Sequence, residues 1–178
     1  MRYVALLRAV NVGGRKVTMK ELREMSADLG YENVRTLIAS GNLVFDAKKT
    51  TDAKLEVALE AAIEKTFALF SEVIVRNPEE WAAIIKANPF TKKAKEDPAH
   101  LVCLICKDKP DTKVIDVWLK TFREKYDRGE QLKVVGREIY IDYGPSIGQS
   151  KLLLPKKLCI GTARNWNTVL KLDAMLND

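Results

Sequence analysis

Apolar residues follow two patterns along this chain, and stretches of the two patterns alternate. Short apolar runs bounded by polar residues and glycines predict β-strands. They occur at residues 3–7, 33–38, 43–45, 72–76, 101–106, 132–135, 138–141 and 159–164. Apolar residues three or four positions apart predict helices at residues 18–29, about 51–70, from 77 onward, around 114–122, at about 149–158 and from 165 onward. The order β-α-β-β-α-β-α therefore occurs twice.

This repeated order predicts an α+β fold built by duplication. We expect two tandem ferredoxin-like (βαββαβ) halves with antiparallel sheets, each followed by a helix, at residues 1–88 and 99–178. Residues 88–98 contain two prolines and three lysines, a composition typical of a linker. Each half would place its helices on one face of its sheet, so the other face must be covered or used.

Local signals mark the ends of several elements. Thr18 followed three residues later by Glu21 predicts a helix capping box. Asn77 before Pro78 predicts a capped helix start. Gly136-Arg137 between two apolar runs is typical of a two-residue hairpin turn.

Length and composition indicate a folded protein without a membrane-spanning segment. The 178 residues are 47% hydrophobic, which is enough for a core, so we do not expect a disordered chain. The sequence opens on a predicted strand without a basic leader, and no apolar run has the length needed to span a bilayer. These features predict a cytoplasmic protein with no membrane segment, and they leave its oligomeric state open.

The net charge of +6 is concentrated at the two ends of the sequence. Residues 1–35 and residues 145–178 each carry three more basic than acidic side chains, whereas the residues between them are balanced. If the two ends meet in space, they form one basic site that attracts anions; the alternative is a set of ordinary solvated charges.

Polar residues with hydrogen-bond donors follow the first strand and precede the last helix. The candidate ligand-binding residues are Arg8, Asn11, Gly13, Gly14, Lys16, Ser40, Asn42, Arg164, Asn165, Trp166 and Asn167. Guanidinium groups, amides and free backbone N–H groups at strand-to-helix joints suit a phosphate or a carboxylate. We therefore predict that Arg8, Asn11 and Lys16 converge with residues 164–167 around one cleft.

Each of these signals also has a structural explanation. The glycine pair at residues 13–14 lacks both established phosphate-loop patterns, so it could serve only to reverse the chain. Ser40-Gly41-Asn42 is an ordinary turn sequence. Asn165 or Asn167 could cap the last helix, and Trp166 could fill a joint in the core.

Three cysteines and one histidine raise the question of a metal site. Cys103 and Cys106 lie in the apolar run 101–106, and residues three apart on a strand face opposite ways. Leu104 and Ile105 between them favour an extended strand over the tight turn of a zinc knuckle, so we expect no metal. Because the two cysteines face opposite ways and the sequence shows no secretory signal, we expect no disulfide either, and we predict no cofactor. A Ser-His-Asp arrangement would have to use His100, and nothing else supports one.

The sequence contains no complete catalytic constellation and names no reaction. Its best interpretation is a binder of a small anionic ligand. The first alternative is a protein-interaction module that uses an exposed sheet. The second is single-stranded nucleic-acid binding by the sheet residues Tyr3, Phe45, Tyr140 and Tyr143, although an RNA-recognition motif with its glycines is absent.

Three segments resemble the motifs of a widespread family of small bacterial proteins of unknown function. They are residues 6–14 (LLRAVNVGG), 40–45 (SGNLVF) and 162–169 (TARNWNTV). The order and separation of the three segments make this resemblance specific, and the chain departs from it at Ala9, where the family usually has glycine. The resemblance implies a cytosolic protein of two ferredoxin-like halves and carries no accepted activity.

Overall fold

The computed structural model describes residues 1–10, 17–38, 41–126, 129–155 and 159–178. The strands are β1 (Arg2–Leu7), β2 (Glu32–Leu37), β3 (Asn42–Asp46), β4 (Val73–Arg76), β5 (Leu101–Cys106), β6 (Gln131–Val135), β7 (Glu138–Asp142) and β8 (Gly161–Asn165). The helices are α1 (Met19–Asp28), α2 (Asp52–Phe67), α3 (Pro78–Lys86), α4 (Thr91–Glu96), α5 (Thr112–Tyr126) and α6 (Trp166–Asn177). None of the helices in these ranges is long and apolar enough to cross a membrane.

The chain has the predicted mixed α+β class, with two four-stranded antiparallel sheets. Their strand orders are β2-β3-β1-β4 and β6-β7-β5-β8. Contacts divide the chain into two units, one comprising Met1–Ala83 and Lys171–Asp178, the other Ile84–Leu170. These bounds differ from the predicted halves, residues 1–88 and 99–178, at the ends of α3 and α6. That either half is a separate folding domain stays a prediction.

One face of each sheet packs against helices. In the first unit, Tyr3 lies opposite Phe45 and Ala5 opposite Leu43 in the β1–β3 register, and all four side chains are buried. The same core includes the apolar faces of α1 and α2, namely Leu22, Met25, Leu55, Leu59 and Ile63. In the second unit, Ile115, Leu119 and Phe122 of α5 pack with residues of β6 and β7. The spacing of these residues confirms the predicted helical faces.

The opposite face of each sheet is buried as well. In the first sheet this face carries Val4, Leu6, Val44 and Ile74, which are at most 1% exposed. Its counterparts in the second sheet are Leu101, Cys103, Ile105 and Tyr140, all fully buried. The sequence predicted that this face would be covered or used. It is covered at these positions, whereas β2 and β6 keep exposed residues.

The predicted end signals are confirmed. The Thr18 hydroxyl accepts from the Glu21 amide at 3.2 Å, and the Glu21 carboxylate accepts from the Thr18 amide at 3.0 Å. The Asn77 side chain accepts from the Glu80 amide at 3.0 Å and so caps α3. Gly136 has φ 63° in the β6–β7 hairpin, a conformation that glycine adopts without strain.

Two predicted segments differ from the structure. Residues 149–155 form no helix, and residues 156–158 of that prediction lie outside the described ranges. Ser150 explains the difference, because its hydroxyl accepts from the Leu152 amide at 3.0 Å and so competes with helical bonding, while Pro155 lacks an amide proton. The predicted linker 88–98 is also wrong in part, since it contains α4.

Candidate functional site

Five of the eleven predicted ligand residues lie outside the described ranges. They are Asn11, Gly13, Gly14, Lys16 and Ser40. The predicted cleft combines these residues with residues of both units, so the convergence of Arg8 with residues 164–167 stays a prediction. The other six residues can be placed individually.

Arg8 lies directly after β1 and is engaged by an acidic partner. Its Nη1 donates to Oε2 of Glu72 at 2.5 Å. Its backbone is also held, because the Arg8 amide donates to the Glu72 carbonyl at 2.9 Å and the Ser71 hydroxyl donates to the Arg8 carbonyl at 2.8 Å. Glu72 therefore compensates the positive charge of Arg8, which the sequence analysis had assigned to anion binding.

Asn42 has a structural role at the start of β3. Its side chain is fully buried, and its Nδ2 donates to the Leu37 carbonyl at 2.9 Å across the β2–β3 connection. The preceding Gly41 has φ 71° and its carbonyl accepts from the Leu7 amide at 2.8 Å. The turn explanation of this motif therefore accounts for Gly41 and Asn42.

Arg164 is a buried cation on β8. Its residue is 7% exposed, and its Nη1 donates to Thr162 Oγ1 at 2.6 Å and to the Ala163 carbonyl at 2.9 Å. Burial lowers the pKa of Arg164 to about 10, so the group still carries its charge at neutral pH. Holding a charge away from water is unfavourable, and an anion near the guanidinium would reduce that penalty.

The three residues after Arg164 span the end of β8 and the start of α6, and two of them have structural contacts. Asn165 Oδ1 accepts from the Thr168 amide at 3.0 Å and caps the helix, as one of the two explanations predicted. Trp166 is 3% exposed, and its ring centroid lies 6.3 Å from that of Tyr140. Asn167 is exposed.

Arg76 is the counterpart of Arg164 in the first unit. It ends β4, is 1% exposed, and its Nη1 donates to the carbonyl of the preceding Val75 at 2.9 Å. In both units the arginine is followed by an asparagine that caps a helix. The repeated Arg-Asn pair of the sequence thus has the same local structure twice, which makes Arg76 a matched control for Arg164.

Sequence reasoning missed a buried carboxylate in the second unit. Glu130 is 7% exposed, its Oε1 accepts from the Ser150 hydroxyl at 2.6 Å, and its Oε2 is buried without a partner among the described residues. It lines a cavity of about 160 Å³ with Tyr143, Pro145, Ser146, Gln149 and Ser150. Burial and the charge of Glu130 raise the pKa of Tyr143. Glu130 and Ser150 are 20 positions apart, so no local sequence pattern indicates this contact.

A second missed cluster surrounds the histidine. Asp97 accepts from Lys93 Nζ at 2.8 Å and lies 2.8 Å from His100 Nδ1. The bonds from Lys93 and then His100 lower the pKa of Asp97. Burial opposes the charge of Lys93, but Asp97 and Asp142 outweigh it, so the pKa of Lys93 is raised. The sequence did contain a signal for this cluster. Lys93 and Asp97 are four residues apart, and Asp97 and His100 are three apart, which are the spacings of side chains that meet along a helix.

The three cysteines carry thiols that are not joined by disulfides, and two of these thiols are in contact. Cys103 pairs with Tyr140 and Arg164 in the sheet registers. Cys106 belongs to the core beneath α5 instead, and its Sγ lies 2.8 Å from Sγ of Cys159. Among the described residues no group of three or more His, Cys, Asp or Glu side chains could hold a metal ion.

Comparisons with known proteins identify relatives without a described activity. A family model described as "Protein of unknown function (DUF1697)" matches residues 1–140, which include the first two motif segments. The chain is similar to the solved structure of the conserved bacterial protein SP0830 from Streptococcus pneumoniae, with a TM-score of 0.75 and 25% identity over 98% of each chain. No curated protein matches the sequence.

Proposed function

Because this chain belongs to the DUF1697 family, whose description assigns no activity, we propose its function from its own residues. The protein binds a small anionic ligand that carries a phosphate or a carboxylate, and Arg164 is its principal contact. Whether chemistry follows binding is left open by this proposal. A cytoplasmic location stays a prediction.

The observation that carries this proposal is the buried charge of Arg164. The residue is 7% exposed, and two of its hydrogen bonds go to the neutral oxygens of Thr162 and Ala163. Desolvation lowers its pKa, which means that the site disfavours the charged form. A phosphate or carboxylate can take two parallel hydrogen bonds from a guanidinium and compensate this charge, which a neutral ligand cannot do.

The other predicted ligand residues have different weight in this proposal. Asn42, Asn165 and Trp166 have structural contacts that explain their presence. Arg8 is paired with Glu72, so an anion would have to compete with a carboxylate for it. Six residues keep the ligand-binding role that was predicted from the sequence, namely Asn11, Gly13, Gly14, Lys16, Ser40 and Asn167.

Thermal-shift measurements with defined anions test the proposal. The probes are inorganic phosphate, nucleoside mono- and diphosphates, and small mono- and dicarboxylates, each against a chloride control of equal ionic strength. A ligand at about 100 times its Kd should raise Tm by about 5–10 °C, because binding to the folded state stabilises it by mass action. If none of these anions raises Tm beyond the chloride control, the proposal is wrong.

Four variants separate a ligand contact from a structural role. Arg164→Gln should lose the shift, and Arg164→Lys should keep only part of it, because lysine cannot bind an anion bidentately. Arg76→Gln is the matched control, since it removes a buried arginine from the equivalent strand position and should leave the shift intact. Loss of the shift in Arg8→Gln would support the predicted role of the N-terminal loop.

The two alternatives have less support. An interaction through an exposed sheet needs an accessible sheet face. The strands β1, β3, β5 and β7 are largely buried on both faces, and the exposed sheet residues lie on β2, β6 and β8. Stacking of nucleic-acid bases needs exposed rings. Tyr3, Phe45 and Tyr140 are at most 1% exposed, and Tyr143, the fourth predicted residue, is only partly exposed. A protein partner is still testable by measuring the mass of the protein in solution, and nucleic acid by titration with labelled single strands.

We also infer that the two units are ferredoxin-like halves that arose by duplication. The antiparallel order β2-β3-β1-β4 and the equivalent order β6-β7-β5-β8 support this inference, as does the repeated Arg-Asn pair before α3 and α6. The second unit departs from a βαββαβ pattern at residues 149–155, where the described chain is not helical.

A further inference from the structure

The contact between Cys106 and Cys159 joins two segments that are far apart in the sequence. Cys106 is the last residue of β5, and Cys159 precedes β8 by two residues. Their sulfur atoms are 2.8 Å apart, so they need to approach by less than about 1 Å to reach the S–S bond length of about 2.05 Å. Neighbouring bonds fix the surrounding backbone, since the Lys107 amide donates to the Ile160 carbonyl at 2.7 Å.

Gly161 creates the space for this sulfur pair. It lies opposite Cys106 in the β5–β8 register. A β-carbon at residue 161 would lie 3.3 Å from Sγ of Cys106 and 3.1 Å from the Ile105 carbonyl oxygen, closer than most real contacts of this kind. The glycine therefore lets β8 approach the end of β5 while the thiol of Cys106 remains between them.

The two thiols differ in their access to solvent. Cys106 is fully buried, whereas Cys159 is partly exposed. The Cys106 thiol donates to the sulfur of Cys159, and this bond together with burial raises the pKa of Cys106. Cys159 is therefore the thiol that a dissolved disulfide can reach, and cysteine reacts as its thiolate.

From this geometry we propose that Cys106 and Cys159 are a redox modification site that closes to an intramolecular disulfide, with Cys159 as the reacting thiol. The co-reactant is a small disulfide such as glutathione disulfide. The Cys159 thiolate attacks one sulfur of that disulfide, forms a mixed disulfide and expels one glutathione thiolate. Cys106 then loses its proton, attacks Sγ of Cys159 and expels the second glutathione. Two protein thiols are oxidised and one glutathione disulfide is reduced to two glutathione molecules.

Cys103 is excluded from this exchange and serves as the internal control. It lies on β5 three residues before Cys106, is fully buried, and pairs in register with Tyr140 and Arg164 on the other face of the sheet. The proposal therefore predicts which thiol stays reduced as well as which two combine. Under this proposal, the prediction of no disulfide that was made from the sequence applies to the reduced protein only.

Thiol counting and peptide mapping of the full chain test the proposal. The protein is equilibrated in buffers of glutathione and glutathione disulfide, quenched with acid, unfolded and alkylated. Free thiols should fall from three to one per chain, the remaining thiol should map to Cys103, and the peptides of Cys106 and Cys159 should be linked. Because the bridge closes a loop of 53 positions, oxidation should raise Tm by about 10 °C. Three free thiols at every ratio, or a bridge that contains Cys103, would overturn the proposal.

Single substitutions test the assigned order of reaction. Cys103→Ser should leave bridge formation unchanged. Cys106→Ser should trap a mixed disulfide on Cys159, because the resolving thiol is absent. Cys159→Ser should give no glutathione adduct in the folded state, since Cys106 is buried. An adduct on Cys106 in a variant whose Tm shows that it is folded would contradict the role of Cys159, and mapping of the wild-type protein decides the bridge itself if a variant fails to fold.

Discussion

Ala9 is held in a conformation that suits glycine better. Its φ is 56°, in the left-handed region that costs an L-residue roughly 1 kcal/mol, and its side chain is exposed. This is the position where the sequence departs from the resembling family, which usually has glycine. In this chain, the left-handed backbone conformation after β1 is therefore adopted by an alanine and is strained.

We predict that Ala9→Gly raises the free energy of unfolding by up to about 1 kcal/mol, because it removes the backbone strain. The greater conformational entropy of glycine in the unfolded chain offsets part of this gain. Urea denaturation measures the change. The control is Ala5→Gly, at a fully buried position on β1 with extended backbone, which should destabilise the protein. A destabilised Ala9→Gly variant would show that the left-handed conformation at residue 9 carries no strain.

Side-chain roles were predictable where the partner is near in sequence. The cap at Thr18 and the cap at Asn165 have partners three residues away, and both were recognisable from residue type and spacing. The partner of Arg8 is Glu72, 64 positions away, and no periodic pattern links the two. Sequence reasoning could therefore identify Arg8 as a donor and still miss that a carboxylate engages it.

At the scale of elements, the connection between β2 and β3 depends on one close approach. Gly41 has φ 71°, and a β-carbon there would lie 2.9 Å from Cβ of Leu7 and 3.5 Å from its carbonyl oxygen. Leu7 is buried in β1, so it has no room to move away. Gly41 thus has two separate requirements for glycine, its backbone angle and the adjacent strand.

We predict that Gly41→Ala lowers the free energy of unfolding by about 2–4 kcal/mol, from backbone strain together with the forced displacement of Leu7. Gly30→Ala is the matched control. Gly30 has φ 79° at the end of α1, but nothing lies within 4 Å of an added β-carbon. That variant should lose only about 1 kcal/mol. Equal losses in the two variants, measured by urea denaturation, would show that the approach of Leu7 contributes nothing.

Elements with a strong period were predictable, and those set by local side-chain bonds were not. The four-residue spacing of Leu55, Leu59 and Ile63 marked α2, and all three are buried. A further helix was predicted at about residues 149–158, but the Ser150 bond to the Leu152 amide and the proline at 155 favour an irregular chain over residues 149–155. The short helix α4 has no buried residue, so it left no apolar pattern to find.

For the whole molecule, element order predicted the class and the antiparallel sheets but not the membership of each unit. The last eight residues continue the periodic pattern of α6, yet they belong with residues 1–83. The contacts responsible are long-range: Arg2 Nη1 donates to the carbonyls of Met175 and Leu176, and Arg35 donates to the carbonyl of Met175. A single sequence contains no periodic signal for contacts across 140 or more positions.

The segment Lys171–Asp178 should accordingly be essential to the stability of the first unit. Leu172 and Leu176 are 0% and 5% exposed, and burial of each leucine contributes roughly 1.5–3 kcal/mol. Their loss alone is comparable with a large part of the 5–15 kcal/mol that typically stabilises a folded protein. Deletion of residues 171–178 should therefore lower Tm by about 10 °C or more and increase amide hydrogen exchange in β1 and β2, which carry Arg2 and Arg35.

Deletion of residues 177 and 178 alone is the control for this truncation. Both residues are exposed, and the ion pair between Arg35 and Asp178 lies at the surface, where such pairs contribute at most about 1 kcal/mol. The short deletion should therefore shift Tm by no more than about 4 °C. If the longer deletion behaves like the short one, Leu172 and Leu176 do not stabilise the fold, and the carbonyls that receive Arg2 and Arg35 are dispensable. If amide exchange instead increases only within Ile84–Leu170, the last helix stabilises the second unit and the division of the chain drawn from its contacts is wrong.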